Sequence, residues 1–323
     1  MLLVIILNAD SGVELMKTND VDTRSDLLNL ARRYCREAGV FSTPLPGFKV
    51  VRRDATSEAL VGRYAALVCL VLQGEKKVWS GKRVFRYDPE NYLVSCVDVP
   101  ATFQVTKATP QEPYIGLTLE LQPSLIYHIL HESTVSQIRE EDSAGGFYVE
   151  KVTADLAGAF ARLLRSLENT NELKILAPSI VQEIHYRLMS SRYGTKIRQL
   201  GVVGSRSQRI GKVVEHLQKD YAVPLRVTEL ARMANMSPSA FHLHFRQVTN
   251  MSPLQYQKQI RLQEARRMLS VEPMDAASVA FKVGYESPSQ FSREYRRVFG
   301  QPPMRDVEGL RRSTGQGIVL EAE

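Results

Sequence analysis

The sequence predicts an α+β protein: an antiparallel β domain with following helices, then an all-α domain of two helix-turn-helix motifs joined by a long helix. Three observations predict it. Residues 228–303 contain the same helical pattern twice, at an offset of 49 residues before its first aromatic and 50 after it. Residues 47–121 are short apolar runs separated by turn signals. The positive charge also sits at one end: residues 206–312 hold 18 Lys+Arg against 10 Asp+Glu, leaving 24 against 25 for the rest of the 323-residue chain.

From the N-terminus, MLLVIIL is apolar but short and without a basic flank, so it reads as a buried strand or a frayed start, not a signal peptide. Met16 is an alternative start. No run is long enough to span a bilayer, which points to a cytoplasmic protein. Arg24 to Ala38 carries Leu27, Leu28, Leu30, Ala31 and Tyr34 at amphipathic spacing. After Pro44-Leu45-Pro46-Gly47 come ALVCLVLQ, KVWS, RVFRYD, YLVSCVDV, ATFQVTK and YIGLTLEL, the spacing of a small antiparallel barrel or sandwich. Gln122–His131 closes it as a helix. Helices are expected over Phe147–Glu168 and Ala177–Ser190, and GTKIRQLGVVGSRS ends in a linker.

Val152, Leu156, Phe160, Leu163 and Leu167, widened by Ala159 and Leu164, form an apolar seam, with Ile180, Ile184 and Leu188 on the next helix. Packing on the barrel is one reading of it. The width of the stripe points instead to a homodimer through residues 147–190.

Gln208–Asp220 opens the helical domain. In the first repeat Thr228 is placed to cap a helix bearing Leu230, Ala231 and Ala234; Ser237-Pro238 starts a second, with Phe241, Phe245 and Val248 inward. Its outward face holds Ser239, His242, Leu243 and Arg246, and Asn250 ends it. In the second repeat Val279, Ala280 and Val283 face inward, and Ser287-Pro288 opens a helix presenting Ser289, Gln290, Ser292, Arg293 and Arg296 before Gly300. Pro253–Leu269 is the spacer, a rod of about 25 Å. Two such units on a basic segment are the footprint of a double-stranded DNA binder.

MSPSAFHLHFRQVTNMSPLQYQKQIRLQEARRML and VAFKVGYESPSQFSREYRRVFGQPP resemble the DNA-binding domain of the AraC/XylS family of bacterial transcription regulators, and LQGEKKVWSGKRVFRYDPENYLVSCVDVP resembles the subgroup whose N-terminal sensor is a cupin-like barrel. Asn250 departs from that family's usual glycine. The resemblance implies domains at 1–204 (cupin-like sensor and dimerisation) and 205–313 (double helix-turn-helix), with a polar tail at 314–323. It also implies a promoter or operator as DNA partner, a small effector bound in the N-terminal domain, and RNA polymerase as partner if the protein activates.

A cupin-like barrel raises the alternative of an enzyme. Of the six histidines, His128, His131, His185, His216, His242 and His244, none lies between residues 40 and 122, so the barrel has no imidazoles for a metal site. That leaves a metal-independent cupin-type enzyme as the rival class, with no catalytic constellation to carry it, and no cofactor is expected. Cys35, Cys69 and Cys96 read as buried thiols of a reducing compartment; a thiol-based redox sensor is the alternative if Cys69 and Cys96 meet across the barrel. Trp79, Phe85, Tyr87 and Tyr92 are candidates for pocket lining or for core.

Overall fold

A computed structural model describes residues 12–81, 83–132, 146–272 and 274–314. The apolar N-terminal run, the Glu140–Gly146 acidic loop up to residue 145, and the tail from 315 lie outside the described residues.

Helix α1 (Gly12–Tyr34) precedes the β domain. Strands β1 (Gly39–Ser42), β2 (Phe48–Arg53), β3 (Leu60–Tyr64), β4 (Leu67–Gln73), β5 (Glu75–Ser80), β6 (Arg83–Tyr87), β7 (Asn91–Ser95), β8 (Val99–Lys107) and β9 (Tyr114–Glu120) follow in sequence. After α2 (Pro123–Glu132), β10 (Phe147–Lys151) returns to the β domain. Helices α3 (Ala154–Ser166), α4 (Thr170–Ile175), α5 (Ala177–Met189) and α6 (Gly194–Gly201) complete this half. The remainder is α7 (Arg206–Lys219), α8 (Val227–Met233), α9 (Pro238–Thr249), α10 (Pro253–Val271), α11 (Ala276–Lys282), α12 (Pro288–Phe299) and α13 (Pro303–Thr314).

The strands form two antiparallel sheets, ordered β1-β2-β9-β4-β7-β10 and β3-β8-β5-β6. Alternation decides what each face does. In β5, Lys76, Val78 and Ser80 point into the barrel while Glu75, Lys77 and Trp79 face outward and are only half-buried. Phe147, Tyr64 and Phe85 meet between the sheets, ring centroids 5.6 Å apart. The outer face of the six-stranded sheet is buried instead against α1, α2, α3 and α5 in a second core, which includes Phe48, Leu117, Phe160 and Ile184.

That second core answers the question of the seam. Leu156, Ala159, Phe160, Leu163 and Leu164 are almost wholly buried within one chain, as are Ile184 and Leu188. Helix α1 lies along α3, packing Leu27, Leu30 and Ala31 into the same core. Arg165 pairs with Asp26, and Arg33 with Glu168 at 2.8 Å. The stripe is wide because it serves both a sheet and a helix, so the dimer expected through residues 147–190 loses its physical basis.

Other expectations shift at element ends. Phe147–Lys151 is a strand, not the first turn of a helix, paired with β7 from Phe147↔Ser95 to Lys151↔Asn91. The helix after it starts at Thr153, whose hydroxyl caps Leu156 N–H. The first part of GTKIRQLGVVGSRS is α6, anchored by buried Ile197 and packed on α2, ahead of the stretch's end. Thr228 is inside α8, whose N-cap is Arg226 without a side-chain bond. Cys69 belongs to the barrel interior and Cys96 to the helix-side core, so the two thiols lie on opposite faces of one sheet. Burial pushes the Cys96 thiol up to about 12, which removes the thiolate that oxidation needs.

Candidate nucleic-acid interface

The two helical repeats share the same bonds through the turn and the second helix. In the first, Met236 N–H donates to Ala231 C=O at 2.9 Å, and Ser237 Oγ accepts from Ala240 N–H at 3.3 Å. Asn250 then closes α9 in the left-handed conformation, φ 60°, donating to Arg246 C=O. In the second, Tyr285 N–H donates to Ala280 C=O at 2.9 Å, and Ser287 Oγ accepts from Gln290 N–H at 3.3 Å. Gly300 closes α12 with φ 79°, donating to Arg296 C=O. Ala231 and Ala280 are buried at the crossing of each helix pair, where a larger side chain would hold the helices apart. Phe241 and Phe245, like Phe291 and Tyr295, fill the core beneath.

What remains outside is the predicted face. Ser239, His242, Leu243 and Arg246 are exposed on α9, as are Ser289, Arg293 and Arg296 on α12. Gln290 and Ser292 are half-buried. Leu243 is 57% exposed, unusual for a leucine on a well-packed helix, and it sits amid the polar residues of that face. Gln290 is held sideways, its amide donating to Glu294 at 3.2 Å. Glu294 also accepts from Lys258 at 2.7 Å and from Tyr285 Oη at 2.9 Å. Burial works against its charge, but these bonds outweigh it and hold the carboxyl below its ordinary value. An acid on α12 is thereby neutralised from behind.

Several basic residues that count toward the charge of this segment do structural work instead. Arg261 donates to the carbonyls of Tyr221 at 2.7 Å and Gly284 at 2.6 Å, tying the second repeat to the loop after α7. Gly284 has φ +92°, and a Cβ there would lie 2.2 Å from Ala222 O, so only glycine closes this turn. Arg266 makes two bonds to Asp306, at 2.7 and 2.9 Å, with both side chains about nine-tenths buried. Tyr295 Oη donates to the same carboxylate at 2.8 Å, and Arg266 stacks 4.7 Å from the Phe299 centroid. Composition alone does not separate such arginines from those offered to phosphates.

One further feature is visible only in the fold: the first repeat docks on the barrel. Tyr256 Oη donates to Asp98 C=O at 3.0 Å while accepting from Gln218 at 3.0 Å. Gln263 donates to Gly62 C=O at 2.8 Å, and Asn250 Nδ2 donates to Ser80 Oγ at 3.2 Å. Gly81 and Gly146 receive the end of α9: a Cβ on them would stand 2.5 Å from Asn250 O and 2.4 Å from Val248 O. Where a glycine would close α9 equally well, asparagine adds the bond to Ser80. The docked side is the one away from the exposed face.

In the β domain the four candidate aromatics separate. Phe85 and Tyr87 are in the barrel interior, Tyr92 is on the helix side with its hydroxyl 3.2 Å from Glu150, and Trp79 is on the outer face of β5. His128 pairs with Glu132 at 3.2 Å, and His131 Nδ1 lies 2.8 Å from Tyr127 O. Among the described residues, no group of three or more His, Cys, Asp or Glu could hold a metal ion, and no helix is long and apolar enough to cross a membrane.

Residues 44–196 match the model of the AraC-type transcriptional regulator N-terminus, and residues 230–307 match a helix-turn-helix domain. The HTH-type transcriptional regulator GlxA of Rhizobium meliloti is 33% identical over 119 residues, 35% of this chain and 36% of its own. The chain therefore spans about a third of that relative's length. The virulence regulon transcriptional activator VirF of Yersinia enterocolitica is 23% identical over 238 residues, 72% of this chain and 86% of its own. In fold, the crystal structure of unsaturated fatty acid-bound ToxT from Vibrio cholerae superimposes with a TM-score of 0.52 at 9% identity, covering 82% of this chain and 96% of that one. The repeated helix pairs, the β domain before them and the two consecutive matches agree: the chain is similar to AraC-type transcriptional regulators at its N-terminal half and carries a helix-turn-helix domain after it.

Proposed function

We propose that this chain is a sequence-specific DNA-binding transcription regulator, controlled by a small effector bound in the N-terminal domain. The observation that carries the reading is the pair of exposed helix faces on α9 and α12, each held by the same capping and crossing bonds. Arg246, Arg293 and Arg296 are its strongest DNA contacts, with Ser239, His242, Leu243, Ser289, Gln290 and Ser292 beside them. Arginine forks match guanine edges or phosphates, and short polar side chains reach base edges. The N-terminal unit, residues 1–204, is the sensor, and 205–313 the DNA-binding unit. ToxT, whose fold is similar, was crystallised with an unsaturated fatty acid, which supports looking for the effector in the N-terminal domain. The function places the protein in the cytoplasm. Contact with RNA polymerase, where it activates, and pairing of two copies on repeated half-sites belong to the same proposal.

The test is genomic mapping of binding sites, followed by gel shifts of the full chain on a recovered promoter. Binding should weaken steeply with salt. Arg293→Ala should cost about 1–3 kcal/mol and relax preference at one position if it reads guanine. Equal affinity for promoter and random DNA in the wild type would remove the reading.

A further inference from the structure

Three side chains converge on one carboxylate beside the exposed face of α12. Glu294 accepts from Lys258 Nζ at 2.7 Å, from Tyr285 Oη at 2.9 Å and from Gln290 Nε2 at 3.2 Å. Lys258, on α10, and Tyr285, in the turn before α12, anchor it from behind. Burial opposes its charge, but these bonds hold the carboxyl below its ordinary value, so it is ionised at neutral pH. Gln290, one turn earlier on the same helix, is half-buried on the outward side. An ionised carboxylate only accepts, so it fixes which end of that amide turns toward it, the NH2 group. One N–H is used there. The other N–H and the carbonyl oxygen remain, one donor beside one acceptor. Adenine offers the complement in the major groove, an acceptor at N7 and a donor at N6.

The first repeat has Ala240 and His244 at the corresponding places, with His244 Nδ1 2.8 Å from Gln247 Oε1. Its turn, cap and second helix form without a glutamine–glutamate pair, so the fold of such a unit does not call for one. We propose that Glu294 is a positioning residue that locks the Gln290 amide in the orientation that reads adenine on the α12 side of the site. This rests on the reading of the outward face of α12 as a base-contacting surface, and it adds a specificity determinant set behind that face. Without the carboxylate the amide turns either way. With its NH2 group outward it offers two donors, which the N7 and O6 acceptors of guanine suit.

The experiment selects bound sequences from a randomised pool, using the full chain and its variants. The wild type should select adenine at one position that Gln290→Ala leaves unselected. Glu294→Gln keeps the size of the side chain but donates as well as accepts. The adenine-to-guanine ratio at that position should then fall about tenfold, the discrimination of one bidentate contact, while preferences elsewhere in the site stay. Tyr285→Phe removes a structural tie of the same carboxylate; it should lower Tm and leave the ratio unchanged. An unchanged ratio in Glu294→Gln, a loss spread evenly over all positions, or an equal fall in Tyr285→Phe would overturn the assignment. So would a wild type that selects guanine where Gln290 acts. Should Glu294→Gln fail to fold, Glu294→Asp, one methylene shorter, is read in its place, and a full adenine preference there overturns the lock. The regulator reading is tested by the wild type alone: selection of no sequence removes it, whereas a selected site that Gln290→Ala does not alter removes this inference only.

Discussion

Fifty positions separate Leu243 from Arg293, and they occupy the same place on their respective helices. Both are exposed, so packing does not explain the difference between them. If α9 and α12 each read a half-site, the two residues ask for different bases. An aliphatic side chain favours the thymine methyl, and an arginine favours the two acceptors of guanine. The proposal thus predicts a site whose halves differ at this position, A·T for the first repeat and G·C for the second. Leu243→Arg should shift the first half toward G·C by about 1–3 kcal/mol, read by selection of bound sequences from a randomised pool. Unchanged preference at every position would sink the pairing of residue with base. These two residues were legible in the sequence because a helical period fixes which side chains face outward. Arg261 and Arg266 were not distinguishable from them there. Their partners, the Tyr221 and Gly284 carbonyls and Asp306, are brought to them only by the fold.

Among the elements, those defined by local chemistry were readable and those defined by a distant partner were not. Ser237-Pro238 and Ser252-Pro253 start helices because a hydroxyl and a fixed φ suit the first turn, and Ser252 with Gln255 completes a reciprocal capping box. Phe147–Lys151 has apolar residues compatible with either period, and its partner β7 lies some fifty residues earlier, so only the sheet makes it a strand. Helix α5 shows the same dependence through His185. Its Nδ1 lies 2.8 Å from Val181 O in its own helix, and its Nε2 accepts from Gln122 N–H at 3.0 Å, joining α5 to the start of α2. Burial lowers its pKa from the ordinary 6.5, so the folded chain holds it neutral while the unfolded chain takes up a proton. The unfolded state therefore binds more protons below about pH 6.5, and stability falls as pH drops from there toward the folded pKa. The loss should approach but not exceed about 1.4 kcal/mol per pH unit. His185→Gln should be less stable at neutral pH but flatter between pH 6.5 and 5 in urea titrations. An equally steep decline in the variant would show that other groups govern that window.

At the scale of the whole molecule, the barrel and the first repeat share one continuous apolar core, running from Val51 and Phe103 to Phe241, Phe245 and Ile260. The second repeat has its own, from Leu262 to Val307. The second helices of the two repeats are thus held unequally: α9 is tied to the barrel at Asn250 and Val248, and α12 is tied to α13 through Tyr295 and Asp306. Gly146 tests the docking without straining its own backbone, because only the close approach to Val248 O forbids a side chain there. Gly146→Ala should cost about 1–3 kcal/mol, as overpacking does, and should split a single calorimetric transition into two as barrel and helical domain melt apart. A single transition at the wild-type temperature would mean that the contact is too soft to couple them.

What the sequence determined by itself was everything set by short-range periodicity and capping: the β domain, the duplicated helix pair, its outward face, and the concentration of positive charge beside it. These follow from residues within one or two turns of each other, where geometry leaves few choices. The tertiary structure alone decided which apolar stripe meets which surface. It placed α1 over α3, where the width of the stripe had pointed to a second copy, and Cys69 and Cys96 on opposite faces of a sheet. It turned Lys76 into the barrel and brought Asn250 to Ser80 across 170 residues. The physical reason is common to all of them. Hydrophobic burial is non-directional, so a stripe specifies that it must be covered, and only the packed chain specifies by what.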